Sequence, residues 1–346
     1  MRADLALIGF GHVGRRFATL IDERREQLSA EHGLDCRIVG IATRRHGAVA
    51  AADGIDVRTA IERVAGDRPL PGTHHLSTSD VIGALARSDA PLRVAIETTT
   101  LSIADGQPAI AHVEAAIDAG CHVVTANKGP VAFAYRRLRD RARAAGVSFL
   151  FEGAVMDGVP IFNLVRDTLP TVTITGFRGV VNSTTNFILS ALEEGQEFAP
   201  ALAAMQAAGI AEADASLDVD GWDAAAKTAA LANVLMGADI DPRQVDRTGI
   251  GPESAAEAQA ARARGHRLRL VASAERSATG VVARVRPTVL PASDLLAGLQ
   301  GPANALVLHT DLLGQIAIHQ LEGGLTMTAY ALVSDLVTIR RRATRE

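Results

Sequence analysis

Between Gly209 and Lys227 the chain reads GIAEADASLDVDGWDAAAK, which gathers Glu212, Asp214, Asp218, Asp220, Asp223 and Lys227 into one short span with two glycines. The Ala-rich run 222–236 predicts a helix. On it Asp223 and Lys227 stand four apart, one turn from each other on a shared face. A carboxylate and an ammonium held together on a rigid element can bind a zwitterion or move a proton. The alternative is a surface ion pair, worth little to stability. The pair here follows Gly-Ile-Ala-Glu and a run of further carboxylates, an accompaniment that a surface pair does not need.

The elements that must position these groups fit an ordinary globular chain. Its 346 residues allow two domains, and its composition is 48% hydrophobic and 21% charged. Aromatics are only 3%, so the core must rest on Ala, Val, Leu and Ile. A net charge of −4 gives no ground for expecting nucleic acid or an anionic membrane surface as a partner. The basic end, RRRATRE, reads as a short solvated tail. No apolar run reaches the ~18–20 residues of a membrane span. Asp4 interrupts the first apolar stretch and no cleavage pattern follows, so a signal peptide is not expected. Cys36 and Cys121 sit in apolar strand-like segments and read as buried free thiols, which fits a reducing cytoplasm. His309 and His319 read as strand residues, and the histidines show no zinc-like spacing.

The N-terminal half carries a nucleotide signature. Residues 3–8 (ADLALI) read as a buried strand leading into Gly9-Phe10-Gly11-His12-Val13-Gly14, and RRFATLIDERREQL continues as a helical pattern. This is GxGxxG in its required setting, after a strand and opening a helix. The first glycine permits the tight turn, the second lets backbone approach a pyrophosphate, and the third lets helix pack on strand. The phosphates then meet free amides at the helix N-terminus. The next strand, 36–42, ends in Thr43-Arg44-Arg45 where NAD-preferring folds carry an acid. Arginines there can clamp a 2′-phosphate, which favours NADP, with NAD use the alternative if both are solvated loop charges.

Strand and helix go on alternating. Residues 92–97 (LRVAIE) read as a strand before Thr98-Thr99-Thr100, and a helix at 108–119 leads to a strand ending in Ala126-Asn127-Lys128-Gly129-Pro130. Lys128 either reaches a ligand at the strand's carboxyl end or decorates the turn before Pro130. A strand at 147–151 precedes Glu152, and a helix is expected over 158–168 with Asp157 as a candidate cap. A strand over 171–181 runs into Asn182-Ser183-Thr184-Thr185-Asn186, where Thr184 or Thr185 is the candidate cap of a helix to about 194. That polar cluster serves capping or substrate contact. Strands are expected at 266–275, 279–290, 304–311 and 315–322, and a final helix over 325–340.

Five of these motifs, in the same order and over nearly the whole chain, resemble the homoserine dehydrogenase family. Its substrate-site signature matches at Gly209, Glu212, Gly221, Asp223 and Lys227, with Ala215 where the family often has proline. Ala126-Asn127-Lys128 resembles another hallmark, and Thr98 and Thr99 stand where a short polar motif lines the nicotinamide, without the usual asparagine. Asn182 to Leu189 resembles a third, with Ser183 in place of a glycine that would permit a left-handed backbone. The chain end, Gly323-Gly324 and the helix that follows, matches as well.

The resemblance implies an α/β fold: a Rossmann-type doubly wound domain over 1–150, completed by 325–346, and an α+β substrate and dimerisation domain over 151–324. It implies hydride transfer between a nicotinamide and homoserine's hydroxyl-bearing carbon, within amino-acid biosynthesis. Glu212, Asp218, Asp223 and Lys227 would bind substrate, and Lys227, Lys128 and Asp223 would do the chemistry. Arg44, Arg45, Thr98, Thr99, Lys128, Gly209, Glu212 and Gly324 would join the glycine loop on the cofactor. A sodium ion is implied at Glu152, Val155, Asp157 and Val159, with Met156 and Asp157 replacing common glycines. A homodimer or homotetramer is expected. Two rivals are a paralogous dehydrogenase acting on another small amino or hydroxy acid, and a non-catalytic nucleotide sensor, which should have lost the charged residues this chain keeps.

Overall fold

The computed structural model describes residues 1–72, 76–207 and 215–344. Gly209 and Glu212 lie outside the described residues, as do Asp214 and His74-His75. The chain divides into two compact units, 1–160 with 324–346, and 161–323. None of the described helices is long and apolar enough to cross a membrane.

The first unit is built on a six-stranded sheet: β1 (Arg2–Ile8), β2 (Asp35–Ala42), β3 (Ala48–Ala50), β4 (Leu92–Glu97), β5 (His122–Thr125) and β6 (Phe149–Leu150), in the order β3-β2-β1-β4-β5-β6. All neighbours pair in parallel except β3, which runs antiparallel to β2. Helices on both faces bury the central strands, so they read as continuous apolar runs and not as alternating ones. Asp4 is the exception in β1. It is 1% exposed, and Arg37 donates to it at 2.9 Å. Chain order reverses between β1 and β4, and at such a switch point an open α/β sheet leaves a crevice at its carboxyl ends.

The first helical pattern is two helices, His12–Glu23 and Arg25–His32, because Arg24 leaves helical geometry (φ −108°, ψ 12°). The final helix, Leu325–Arg342, packs on the first of them. Leu332, Leu336 and Ile339 share a buried cluster with Phe17, Leu20 and Ile21. Each such side chain is worth ~1.5–3 kcal/mol when fully buried, enough to fix the helix without polar contacts. Residues 151–160, expected in the second domain, pack with this unit: Glu152 N donates to Asp335 at 2.8 Å, and a Cβ on Gly158 would strike the Met327 backbone.

The second unit carries a mixed sheet of β7 (Ile174–Val180), β8 (Asp246–Arg247), β9 (His266–Ser277), β10 (Gly280–Pro291), β11 (Asn304–Thr310) and β12 (Gln315–Gln320), ordered β12-β11-β7-β9-β10-β8. Helices Ser183–Glu193 and Trp222–Met236 lie against it. The buried alanines 224–226, 229, 230 and 232 let the second of these approach closely. Glu193 and Arg269, both nearly fully buried, meet at 2.8 Å, and Arg269 also donates to the carbonyls of Ala297 and Leu299. Burial lowers the Arg269 pKa against the pull of Glu193. Leaving either partner alone would strand a buried charge.

Candidate active site

In the first unit the glycine loop has a distinct job at each glycine. Gly9 sits at φ +94°, and a Cβ there would lie 2.6 Å from the Thr98 carbonyl. A Cβ on Gly14 would lie 2.7 Å from the Gly9 oxygen. Gly11 faces open space, with nothing within 4 Å of a Cβ. The two ends of the switch point are stitched together by Thr98, whose N–H donates to Ile8 O (2.8 Å) and whose hydroxyl donates to Gly9 O (2.9 Å). Gly11 is the N-cap of helix His12–Glu23 without a side-chain cap, so nothing of the residue itself occupies the anion-favouring terminus. Phe10 turns into the core at 3% exposure, Val13 packs beside it, and His12 is exposed.

This loop opens on a cavity of about 490 Å³ lined by Gly9 to Gly11, Arg15, Thr43 to His46, Asp67 and Thr98 to Thr100. Arg44 and Arg45 are both exposed at its rim. Close glycines where backbone must touch backbone, open space at the middle glycine, and a basic rim together fit a dinucleotide phosphate.

Behind Thr98 and Thr99 lies a residue the sequence reading passed over. Glu97 is 0% exposed and accepts from Thr99 N (2.9 Å), from the Thr99 hydroxyl and from the Thr125 hydroxyl (2.7 Å). Asn127 closes the ring: its N–H donates to Thr125 Oγ1 (2.9 Å) and its amide to Thr99 O (3.0 Å). The Asn127 amide oxygen also caps helix Lys128–Ala144 through Gly129 N (2.8 Å). Lys128 is therefore the first residue of a capped helix. Burial raises the Glu97 pKa, against its three hydrogen bonds. The signal available in sequence was an acid ending the apolar run LRVAIE, read simply as the strand's last residue.

Residues 152–159 differ from expectation. Met156 and Asp157 are both left-handed, at φ 53°, where the family's glycines would sit without strain. Asp157 does not cap a helix at 158. That helix runs Phe162–Thr168 and has no side-chain cap. Asp157 instead accepts from Gly324 N (3.1 Å) and Thr328 Oγ1 (3.0 Å), so it tethers the start of the final helix. Glu152 is 2% exposed.

In the second unit, strand β7 ends at Val180 and the chain turns at Val181-Asn182 into helix Ser183–Glu193. Asn182, not Thr184 or Thr185, is the cap: its Oδ1 accepts from Thr185 N (2.9 Å) and Thr185 Oγ1 (3.0 Å). Ser183 needs no left-handed backbone. Its hydroxyl donates to Pro302 O (2.8 Å) and accepts from Asn304 (2.9 Å). The other end of the Asn182 amide donates to Asp218 Oδ1 (2.7 Å) and Asp223 Oδ2 (2.9 Å). Lys227 Nζ meets Asp223 Oδ2 at 2.9 Å and donates to Val181 O at 2.6 Å.

Asp223 and Lys227 thus meet as their four-residue spacing implies, and Asp218 joins them through Asn182. Lys227 and Asp223 are only 16% and 15% exposed, which removes the surface-pair reading. Burial, and then the charge of Asp223, raise the Asp218 pKa, against hydrogen bonds from Asn182 and Thr184. The turn that carries Asp218 is pinned on its far side. Arg247 bonds Asp220 O and stacks 3.9 Å over the Trp222 ring, while Ile250 N donates to Val219 O. Gly221, at φ +78°, lets the turn enter the helix.

Comparison with known proteins bears on this arrangement. Residues 9–152 match the family description "Homoserine dehydrogenase, NAD binding domain", and residues 160–337 match "Homoserine dehydrogenase". The chain belongs to the homoserine dehydrogenase family. It is 37% identical over 347 residues to an NAD(+)-dependent homoserine dehydrogenase of Pseudomonas canavaninivorans, covering 99% of this chain and 97% of the relative. It is 32% identical to the homoserine dehydrogenase of Methanocaldococcus jannaschii, covering 97% and 98%. Among solved structures, a homoserine dehydrogenase from Thiobacillus denitrificans superposes with a TM-score of 0.84 at 30% identity, over all of this chain and 75% of that one. A hyperthermophilic archaeal homoserine dehydrogenase in complex with NADPH gives 0.81 at 26%, over 99% and 98%. The α/β fold with a second domain and the nicotinamide-dependent oxidoreductase class follow.

The cysteines take no part. Both are buried and free, and burial pushes the Cys36 thiol up to about 12 and the Cys121 thiol to about 11, away from reactive thiolate.

Proposed function

We propose that the chain interconverts L-homoserine and L-aspartate 4-semialdehyde, and the observation that carries this reading is the cluster of Asp218, Asp223 and Lys227 around Asn182. Two carboxylates beside one ammonium leave a net negative site, complementary to the α-ammonium of an amino acid. Asp218 and Asp223, with Glu212, hold that ammonium and orient the substrate. Lys227, held by Asp223 and the Val181 carbonyl, takes the hydroxyl proton in its neutral form during oxidation and returns it as the ammonium during reduction of the aldehyde, and Lys128 is the other candidate for that step. A bound nicotinamide supplies the hydride acceptor. Oxidation then removes a hydride from the carbinol carbon and a proton from its oxygen, leaving the aldehyde. The chain's own part is to orient donor and acceptor and to hold the proton's destination in place.

On the cofactor side, Gly9 to Gly14 cradle the phosphates, and Arg44 and Arg45 at the cavity rim favour a 2′-phosphate, hence NADP over NAD. Thr98, Thr99 and Gly324 line the reduced end. A sodium ion suits the oxygen donors of the 152–159 turn. Asp157 already bonds Gly324 and Thr328, so the Glu152 carboxylate and the carbonyls of Val155 and Val159 are the principal donors. A homodimer through the second unit's sheet is supported by exposed Leu312, Leu313 and Leu321 flanking edge strand β12.

The test is the rate with L-homoserine and each oxidised nicotinamide in parallel, followed by nicotinamide absorbance. Turnover is expected with NADP in preference to NAD, and Arg44→Ala with Arg45→Ala should erase the preference. No turnover with either cofactor sinks the reading, whereas faster turnover with 4-hydroxybutyrate than with homoserine would move it to a paralogous activity.

A further inference from the structure

Asn182 is 4% exposed, and both ends of its side-chain amide are hydrogen-bonded in one orientation. The oxygen accepts from Thr185 N and Thr185 Oγ1, which makes it the helix cap. The nitrogen donates to Asp218 Oδ1 at 2.7 Å and to Asp223 Oδ2 at 2.9 Å. Turning the amide over would set donor against donor and acceptor against acceptor, so the orientation is fixed. One nitrogen within hydrogen-bond reach of two carboxylates keeps like charges close together in a partly buried place. Without it they would separate, or one would take up a proton.

We propose that Asn182 is a positioning residue for the substrate's ammonium, bracing the Asp218 and Asp223 carboxylates as a pair while its other end caps the helix. The bridge is neutral, so it leaves the site's negative charge in place for a ligand cation. A lysine or arginine at 182 would reduce that charge, and an acid would add to the repulsion. The bridge also reaches the proton-exchanging amine, because the Asp223 oxygen that accepts from Asn182 is the one that holds Lys227. This inference rests on the proposed oxidation of homoserine and names the residue that sets its ammonium subsite.

The two ends of the amide can be separated by substitution. Asn182→Ser keeps a cap oxygen, because serine caps helices about as well as asparagine, but it cannot bridge two carboxylates. The full-length enzyme and this variant are compared by thermal midpoint, cofactor KM and homoserine KM. The expected result is a modestly lowered midpoint from the two carboxylates left without their donor, an unchanged cofactor KM, and a homoserine KM raised about 10- to 100-fold, the equivalent of one charge-assisted hydrogen bond. Asn182→Ala, which loses the cap as well, should show the same KM change and a midpoint lowered further. A wild-type homoserine KM in Asn182→Ser overturns the proposal. So does a loss shared equally by midpoint, cofactor KM and homoserine KM, which would make the role purely structural. If wild-type enzyme does not oxidise homoserine at all, the functional reading itself fails and takes this inference with it.

Discussion

Replacing Gly9 or Gly11 by Ala adds the same methyl group two residues apart, with opposite consequences. At Gly9 the backbone is left-handed (φ +94°), which costs ~1–2 kcal/mol for a residue with a Cβ. The new methyl would also lie 2.6 Å from the Thr98 carbonyl carbon and oxygen and 2.8 Å from Thr99 N. Those are backbone atoms at the end of a central strand and cannot swing away, so overpacking adds ~1–3 kcal/mol. The sum, ~2–5 kcal/mol, should lower the thermal midpoint by about 2–4 °C for each kcal/mol in a unit of this size. At Gly11 the backbone is ordinary (φ −75°) and no heavy atom lies within 4 Å. Stability there should change by no more than ~1 kcal/mol, the scale of a helix-cap change. The methyl would, however, occupy the space in which a pyrophosphate approaches backbone, and one lost phosphate contact is about tenfold in affinity. The assay pairs thermal unfolding with a cofactor titration on each variant. Gly9→Ala should fail the first, and Gly11→Ala only the second. If Gly11→Ala binds cofactor like wild type, the cavity beside it is not the dinucleotide site. If Gly9→Ala keeps its midpoint, the packing argument is wrong.

The remaining predictions concern buried acids. The Asp218 pKa is raised, so any stability this group contributes is present below the ordinary carboxylate value and lost as pH rises through its folded-state value. Ammonium binding runs the other way, because it needs the carboxylate charged. The homoserine KM should therefore climb as pH falls through that raised value, and Asp218→Asn should abolish this dependence while raising KM throughout. A pH profile identical in wild type and Asp218→Asn would remove Asp218 from the subsite. Glu97→Gln places an amide donor among the three donors that now converge on the carboxylate. An unmatched buried polar group costs ~1–3 kcal/mol, and kcat/KM should drop because Thr99 and the Lys128 helix lose their common anchor. Wild-type kcat/KM in that variant would show that the ring is dispensable.

What the sequence made legible was local. Strand 92–97 and helix 222–236 appear at the bounds their apolar and alanine runs imply, and the glycine loop follows a strand and opens a helix. Asp223 and Lys227 meet because helical spacing alone brings them together. What stayed hidden depends on partners far along the chain. Asp157 reads as a local cap until Gly324 and Thr328 arrive beside it. Residues 151–160 look like the opening of a second domain until the final helix returns to cover them. Glu97 shows its bonding partners only when Thr125 stands next to it on the neighbouring strand. Asn182 sits in a motif recognised by resemblance, yet its double bond to Asp218 and Asp223 needs the turn 215–221 to fold back against it. The break at Arg24 has no signature in the helical pattern around it.

The most direct test of the account is Lys227→Met, assayed for cofactor affinity and for single-turnover oxidation of L-homoserine by the bound nicotinamide. Wild-type cofactor binding with hydride transfer slowed by several orders of magnitude is the predicted result. Hydride transfer at the wild-type rate would contradict it and remove Lys227 from the proton exchange.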